Sequence, residues 1–301
     1  MPRTAPDGKM LWYRIEFPEE LMPEEVDSYC ADLVRKYDSD RYLLTMMAPV
    51  SRRAALLAVY AFNVEIVRIR ESVSESMLGA IRLQWWRDAI DALYSGRGPA
   101  HAVIRPLGEA VERHGLSQDL FHRVIDGRAA DLDSTQPATL DGLVAYADET
   151  STPLILLALE ITGQREDLSA VASDAGVAWA LTGLVRAIPF HLRNGWNCLP
   201  VDACARHGFA VQDLPAAAAQ EKLSRVVCDI SEYTGQRIAA ARSARGRLTR
   251  AGLPALLPVS FAAAYQRRLE RVGFNPYDAR MAGPPPMIAW RLLLRLLSGR
   301  Y

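Results

Sequence analysis

The chain lacks an excess of charge of either sign and has little cysteine. Its 301 residues include 35 basic residues (lysine and arginine together) and 35 acidic ones. This balance gives no indication of a nucleic-acid partner, because such proteins need basic surface to meet phosphates. The four cysteines show no C-x-x-C spacing, which favours reduced thiols in a cytosolic-type compartment. Cys198, Cys204 and His207 are near one another in sequence, but no fourth ligand follows at a usual zinc spacing.

Also missing is an uninterrupted apolar run of the about 20 residues that cross a bilayer. The N-terminal residues form no signal-peptide-like run, and their acidic character is unlike that of a transit peptide. We therefore expect a cytoplasmic protein with at most peripheral contact with the inner face of a membrane. Residues 290–297 are both basic and apolar, a pattern that suits either a membrane surface or the last helix of a core.

Alternating apolar and polar residues of strand length are absent as well, whereas apolar residues recur at three- and four-residue steps. Pro189 lies in one such segment and is expected to kink or end its helix, because proline removes a helix hydrogen bond. No linker divides the chain, so we predict a single all-α domain over residues 1–301, with 1–22 as an extended segment. The spacing predicts helices over residues 52–70, 81–94 (closed by Gly96), 140–162, 168–190, 223–248 and 287–297.

One helical segment, residues 176–187, carries a distinctive pattern. It is similar to the G-x-A-x-Q-L-T-N-I-L-R-D pattern of the squalene/phytoene synthase family, matching at Gly176, Ala178, Leu181, Thr182 and Arg186. The resemblance implies an all-α bundle of the isoprenoid-synthase type around a central pocket. Further matches extend it over most of the chain, at Pro49, Arg53, Ala61, Phe62, Leu83, Trp85, Trp86, Leu199, Pro200, Asp202 and Gly208.

The same resemblance identifies what this chain has lost, namely the paired acids that hold Mg²⁺ beside a prenyl diphosphate. Mg²⁺ prefers carboxylate oxygens, and carboxylates four residues apart share one helix face. The family's acid positions fall here on Val67, Arg68 and Glu71 in the first motif and on Ala187 and His191 in the second. One carboxylate remains, so we expect no catalytic residue, no metal and no cofactor. Mg²⁺ would be required only if the chain were an enzyme after all.

The replacements themselves follow a pattern. Residues 61–65 (AFNVE), 71–75 (ESVSE), 82–86 (RLQWW) and 186–191 (RAIPFH) resemble a non-catalytic branch of the family. That branch includes a mitochondrial assembly factor for respiratory complex I. The resemblance implies a protein that acts by binding, with complex I subunits or other assembly factors as partners.

A pocket without acids still offers sites for a ligand. Arg186 matches a family arginine that contacts diphosphate, and Arg68 and Arg193 are further candidates because a guanidinium fits phosphate oxygens. Pairing of Arg186 with a nearby acid is an equally consistent role. For Asp131 and His191 we expect structural roles, as a salt-bridging or capping acid and as a helix-end residue. The remaining candidates for ligand contact are Asn63, Glu71, Phe62, Trp179 and Gly183.

Two other functions fit the same residues. An active prenyl transferase would have to recruit replacement acids such as Glu65 and Glu71, which are six residues apart and about 120° from sharing a helix face. An isoprenoid or lipid carrier would use the apolar pocket without chemistry, a role compatible with complex I assembly. The loss of the acids favours the assembly role over the enzyme.

Overall fold

The computed structural model describes residues 29–73, 75–133, 135–164, 167–214 and 216–301. These ranges contain α-helices joined by short turns and no strand, which confirms the predicted all-α fold. The predicted extended segment, residues 1–22, lies outside the described residues. The helices are α1 (Tyr29–Tyr37), α2 (Ser39–Met46), α3 (Val50–Ser72), α4 (Ser76–Tyr94), α5 (Ile104–His114), α6 (Gln118–Ala129), α7 (Leu140–Ile161), α8 (Ser169–Arg193), α9 (Val201–His207), α10 (Ala217–Ser243), α11 (Leu253–Arg271) and α12 (Ile288–Leu297).

The central element is α8, which packs against α7, α10 and α11. By length and composition it is the one described helix that could cross a membrane, but its neighbours on several sides place it as a core helix. Residues of α8 enter two separate apolar clusters. Toward its N-terminus Ala172, Ala175 and Ala178 join one cluster, and Val177, Leu181, Val185 and Ile188 join the other.

A glycine sets the distance between α7 and α8. A Cβ atom added at Gly176 would lie 2.7 Å from the backbone nitrogen and Cα of Thr152, closer than atoms pack. The two helices therefore touch backbone to backbone at this point. The contact gives a structural reason for the glycine that begins the 176–187 pattern.

The prolines inside α7, α8 and α11 do not end these helices. Pro153 lies inside α7, which continues to Ile161, and Pro258 lies inside α11, which continues to Arg271. From the sequence, Pro189 is expected to kink or end its helix; because α8 continues to Arg193, the prediction of a helix end is wrong. Gly96, in contrast, follows the end of α4 with φ of 70°, as a helix-stopping glycine should.

The adjacent tryptophans of α4 have different surroundings. Trp86 is buried, with its ring centroid 5.5 Å from that of Phe62, whereas Trp85 is exposed. Phe62 is fully buried and also packs edge-on against Phe121, at 5.3 Å between centroids. Phe62 is therefore a core residue in this structure, in contrast to its predicted place on a pocket wall.

Candidate functional site

A buried ion pair joins α8 to α2. The Arg186 Nη1 atom donates to Oδ2 of Asp40 at 2.7 Å, and both side chains are almost enclosed. The Arg186 guanidinium lies flat over Tyr265 of α11, with Cζ 3.7 Å from the ring centroid. The Tyr265 hydroxyl is 3.4 Å from the same Asp40 oxygen. Three helices thus converge on one arginine, whose charge is balanced by an acid of the same chain.

Burial dominates the electrostatics of this group. It raises the pKa of Asp40, although the Arg186 charge opposes that rise. It also raises the pKa of Tyr265, whose hydroxyl stays neutral. These shifts reflect the cost of placing charge away from water. The attraction between Arg186 and Asp40 offsets part of this desolvation cost.

The cavity beside Arg186 is small. Its volume is about 10 Å³, roughly the room for one water molecule. Pockets that hold organic ligands are typically about 300–1,000 Å³. In this conformation the space at Arg186 does not fit an isoprenoid chain. The cavity is lined by Leu181, Thr182, Val185, Arg186, Thr234, Tyr265, Gln266, Leu269 and Met281.

A second buried polar group is centred on Asp131, in the short 3₁₀ turn Ala130–Leu132 after α6. Its carboxylate accepts hydrogen bonds from Nη1 of Arg128 at 3.2 Å and from the Tyr146 hydroxyl at 2.6 Å. Its backbone carbonyl accepts one from Arg70 of α3. Asp131 therefore has the salt-bridging role expected from the sequence. Two arginines, Arg70 and Arg128, therefore contact this residue.

His191 occupies the last acid position of the second motif and lies beside this arginine group. Its ring centroid is 4.0 Å from that of Trp196, and its Nδ1 atom is 3.7 Å from Sγ of Cys198. Burial, with the charges of Arg70 and Arg128, lowers the pKa of His191 to about 3. The imidazole is therefore neutral at physiological pH, where the family carries a negative carboxylate.

The first-motif positions offer equally little to a cation. Val67 and Arg68 are half-buried, and the Arg68 guanidinium lies over the Tyr37 ring with Cζ 4.0 Å from the centroid. Glu71 is exposed near the end of α3. Asn63 is buried, and its Oδ1 atom has no hydrogen-bond partner among the described residues.

The other ligand-binding candidates are dispersed. Trp179 packs edge-on against Phe261, with centroids 5.7 Å apart, and faces the Arg41 guanidinium at 5.5 Å. Gly183 has open space where a side chain would begin. Arg193 is exposed at the end of α8. The structure thus places Arg186 beside Asp40 and Tyr265, which were not predicted as site residues, and it leaves Arg193 at the surface.

A Mg²⁺ cluster does not fit the residues present. Across the described ranges, no group of three or more histidine, cysteine or acidic side chains could hold a metal ion. The zinc candidates have separate partners: His207 contacts Asp229 at 2.9 Å, while the Cys204 thiol meets the Gln136 amide at 3.8 Å.

Comparison with known proteins agrees with the fold and with the motifs. A sequence model of the squalene/phytoene synthase family matches residues 34–292. A Bos taurus protein named NADH dehydrogenase (ubiquinone) complex I, assembly factor 6, is 31% identical over 91% of this chain and 83% of its own length. The Rattus norvegicus protein of the same name is 30% identical, over 91% and 82%.

Among solved structures, a dehydrosqualene synthase in complex with ligand superimposes with a TM-score of 0.78. It is 20% identical in sequence and covers 90% of this chain and 94% of its own. At that identity the likeness establishes the fold alone. From the extent of the family match and the identity to the relatives, the chain belongs to the squalene/phytoene synthase family.

Proposed function

We propose that this chain acts by binding, in the assembly of respiratory complex I, and that it does not transfer prenyl groups. The observation that carries the proposal is the charge at the family's metal positions. His191 is neutral and lies beside Arg70 and Arg128, and Arg68 replaces an acid on α3. The names of the Bos taurus and Rattus norvegicus relatives supply the assembly role.

The departure of a diphosphate sets an electrostatic requirement that this interior does not meet. Departure of a diphosphate requires cations held by carboxylates, since the developing negative charge must be stabilised where it forms. Here the polar interior already pairs its own charges, Arg186 with Asp40 and Arg128 with Asp131. A Mg²⁺ ion placed near His191 would meet the charges of Arg70 and Arg128, and the Asp131 carboxylate beside them is already engaged by Arg128.

Replacement acids do not rescue the enzyme alternative. Glu65 accepts a hydrogen bond from the Tyr29 hydroxyl at 3.1 Å, which occupies one of its oxygens. Glu71 is exposed six residues further along α3 and projects in another direction. Neither glutamate belongs to a described cluster able to hold a metal ion.

As partners we propose complex I subunits or other assembly factors, met in the cytoplasm or at the inner face of the membrane. The test is a clean deletion of the gene in the organism that encodes this chain. We expect assembled complex I, measured on native gels and by NADH oxidation in membranes, to fall and to recover with the wild-type gene. Normal complex I in the deletion strain would overturn the assembly role.

A matched variant separates binding from hidden catalysis in the same strain. The double substitution Glu65→Gln, Glu71→Gln removes both negative charges but keeps shape and hydrogen-bonding capacity. We expect it to restore complex I as well as the wild-type gene does, at equal protein level on immunoblots. Failure to restore by a folded and expressed variant, together with diphosphate release by the wild-type protein that the variant has lost, would favour the enzyme alternative.

A further inference from the structure

The exposed face of α12 is strongly apolar. Trp290, Leu294 and Leu297 follow one another at three- and four-residue steps and therefore share one side of the helix. Their exposed fractions are 61%, 63% and 64%. The opposite side is buried through Ile288 and Leu292, which join the main core. The inward side thus fixes the helix to the body of the protein, while the outward side presents a tryptophan and leucines to the surroundings.

Arginines gather along one flank of this apolar face. Arg291 and Arg295 lie on α12 between its exposed and buried sides. Arg267 lies on α11, which packs against α12, and burial together with the charges of Arg291 and Arg295 lowers its pKa. Arg242 lies on α10, which packs against α11, next to Ala241, whose carbonyl accepts a hydrogen bond from Tyr301. Burial and the charges of Arg295 and Arg267 lower the pKa of Arg242. Three helices therefore contribute to one basic cluster.

The positive charge of this cluster is poorly balanced within the described part of the chain. The Nε and Nη2 atoms of Arg242 are buried and have no hydrogen-bond partner there. Glu270 is the acid that acts on Arg267, and it competes with three neighbouring arginines. Buried guanidinium nitrogens without acceptors carry a desolvation cost, so the positive charge of Arg242 is not offset within the described residues.

The sequence shows the same asymmetry on a larger scale. Residues 242–301 contain eleven arginines, no lysine and two acidic residues, Glu270 and Asp278, although the whole chain is neutral. The remainder of the chain therefore carries an excess of acid. A neutral protein in which one segment carries a net positive charge can be oriented by a negative surface.

We propose that the exposed face of α12, with the basic cluster of Arg242, Arg267, Arg291 and Arg295, is a docking surface for an anionic lipid bilayer. Trp290, Leu294 and Leu297 enter the boundary between headgroups and acyl chains, and the arginines bind lipid phosphates. An apolar helical face flanked by arginine is the pattern of helices that lie in a membrane interface. The proposal does not depend on the complex I role, because it concerns affinity for lipid alone.

The experiment is co-sedimentation of the full chain with vesicles of phosphatidylcholine, with or without one quarter phosphatidylglycerol. We expect binding to the anionic vesicles, weak binding to the neutral ones, and release as salt rises from 0.1 to 0.5 M. Trp290→Ser with Leu294→Ser should lower the partition coefficient roughly tenfold or more, because the apolar contact is lost. Arg291→Gln with Arg295→Gln should lower it roughly 30-fold.

Matched variants on α4 and α5 serve as controls. Met77 and Ile81 are 71% and 59% exposed on α4, and we expect Met77→Ser with Ile81→Ser to leave vesicle binding unchanged. Arg105→Gln with Arg113→Gln, on exposed positions of α5, should also leave it unchanged. Circular dichroism establishes that each variant is folded. Absence of binding to anionic vesicles, or equal loss in the α12 and control variants, would overturn the proposal.

Discussion

Arg186 and Asp40 are 146 positions apart in the chain, and their side chains form an ion pair at 2.7 Å between α8 and α2. The matching arginine in the family contacts diphosphate, by the resemblance of the 176–187 pattern. In this chain its Nη1 atom is directed at an acid, and its face rests on Tyr265. This chain thus keeps the arginine of the family pattern and pairs it with an acid of its own.

Removal of one partner from this buried pair should be costly. We expect Arg186→Ala to lower the free energy of unfolding by about 3–5 kcal/mol, because Asp40 is left buried without a counter-charge. Urea unfolding followed by circular dichroism measures the loss. Arg225→Ala, which breaks an exposed pair with Glu221, should cost less than about 1 kcal/mol. Equal losses of unfolding free energy in the two variants would show that the buried Arg186–Asp40 pair matters no more to stability than an exposed pair.

Two glycines of α8 should respond to alanine in opposite directions. Gly176→Ala places a methyl group 2.7 Å from the Thr152 backbone, so we expect a loss of roughly 1–3 kcal/mol as α7 and α8 separate. Gly183→Ala meets no atom within 4 Å and should gain up to about 1 kcal/mol from helix propensity. Thermal unfolding of both variants tests the pair. A stabilised Gly176→Ala protein would contradict the close contact.

His191 should make stability depend on pH in the acid range. Its folded pKa of about 3 lies below the 6.5 of an unperturbed histidine, so the unfolded chain takes up the proton first as pH falls. Stability should therefore decline from about pH 6.5 toward pH 3, by ~1.4 kcal/mol per pH unit from this residue. In His191→Gln protein the free energy of unfolding should fall less steeply with decreasing pH, by ~1.4 kcal/mol per pH unit. Urea titrations of both proteins between pH 7 and 4.5 measure this difference. Parallel curves for the two proteins would contradict a buried neutral imidazole.

The cysteines should differ in reactivity. Burial raises the pKa of Cys198 to about 12 and the pKa values of Cys30 and Cys204 to about 11, so their thiolates are scarce at pH 8. Cys228 is only half-buried. We expect Ellman's reagent to modify Cys228 first and the other three upon unfolding. In Cys228→Ser protein the early phase should vanish, and its persistence would show that a buried thiol is accessible.

The long helices and the family could be predicted from the sequence because their signals are local. The apolar spacing of α3, α4, α7, α8, α10 and α12 has helical period, and the 176–187 pattern lies within one helix. Helix α11 is harder to predict from the sequence. Every residue from Leu253 to Gln266 is buried, so the helix presents no polar stripe from which a period can be recognised.

The partners of Arg186 could not be predicted, since they come from elements that were not recognised. Asp40 belongs to the two-turn helix α2, and Tyr265 belongs to α11. The group around His191 is similar: Arg70, Arg128 and Tyr146 come from three helices, and none occupies a position that the resemblance singles out. The loss of the metal-binding acids can be read from the sequence. The neighbours of His191 cannot, because they are brought together only when three helices pack.

The most direct test of the account is calorimetric titration of the chain with farnesyl diphosphate, with and without Mg²⁺, and an assay of the same samples for inorganic diphosphate. We predict that Mg²⁺ does not strengthen binding and that no diphosphate is released, while an active family member run in parallel releases it. Tight Mg²⁺-dependent binding with diphosphate release would show a working metal site and would contradict the account.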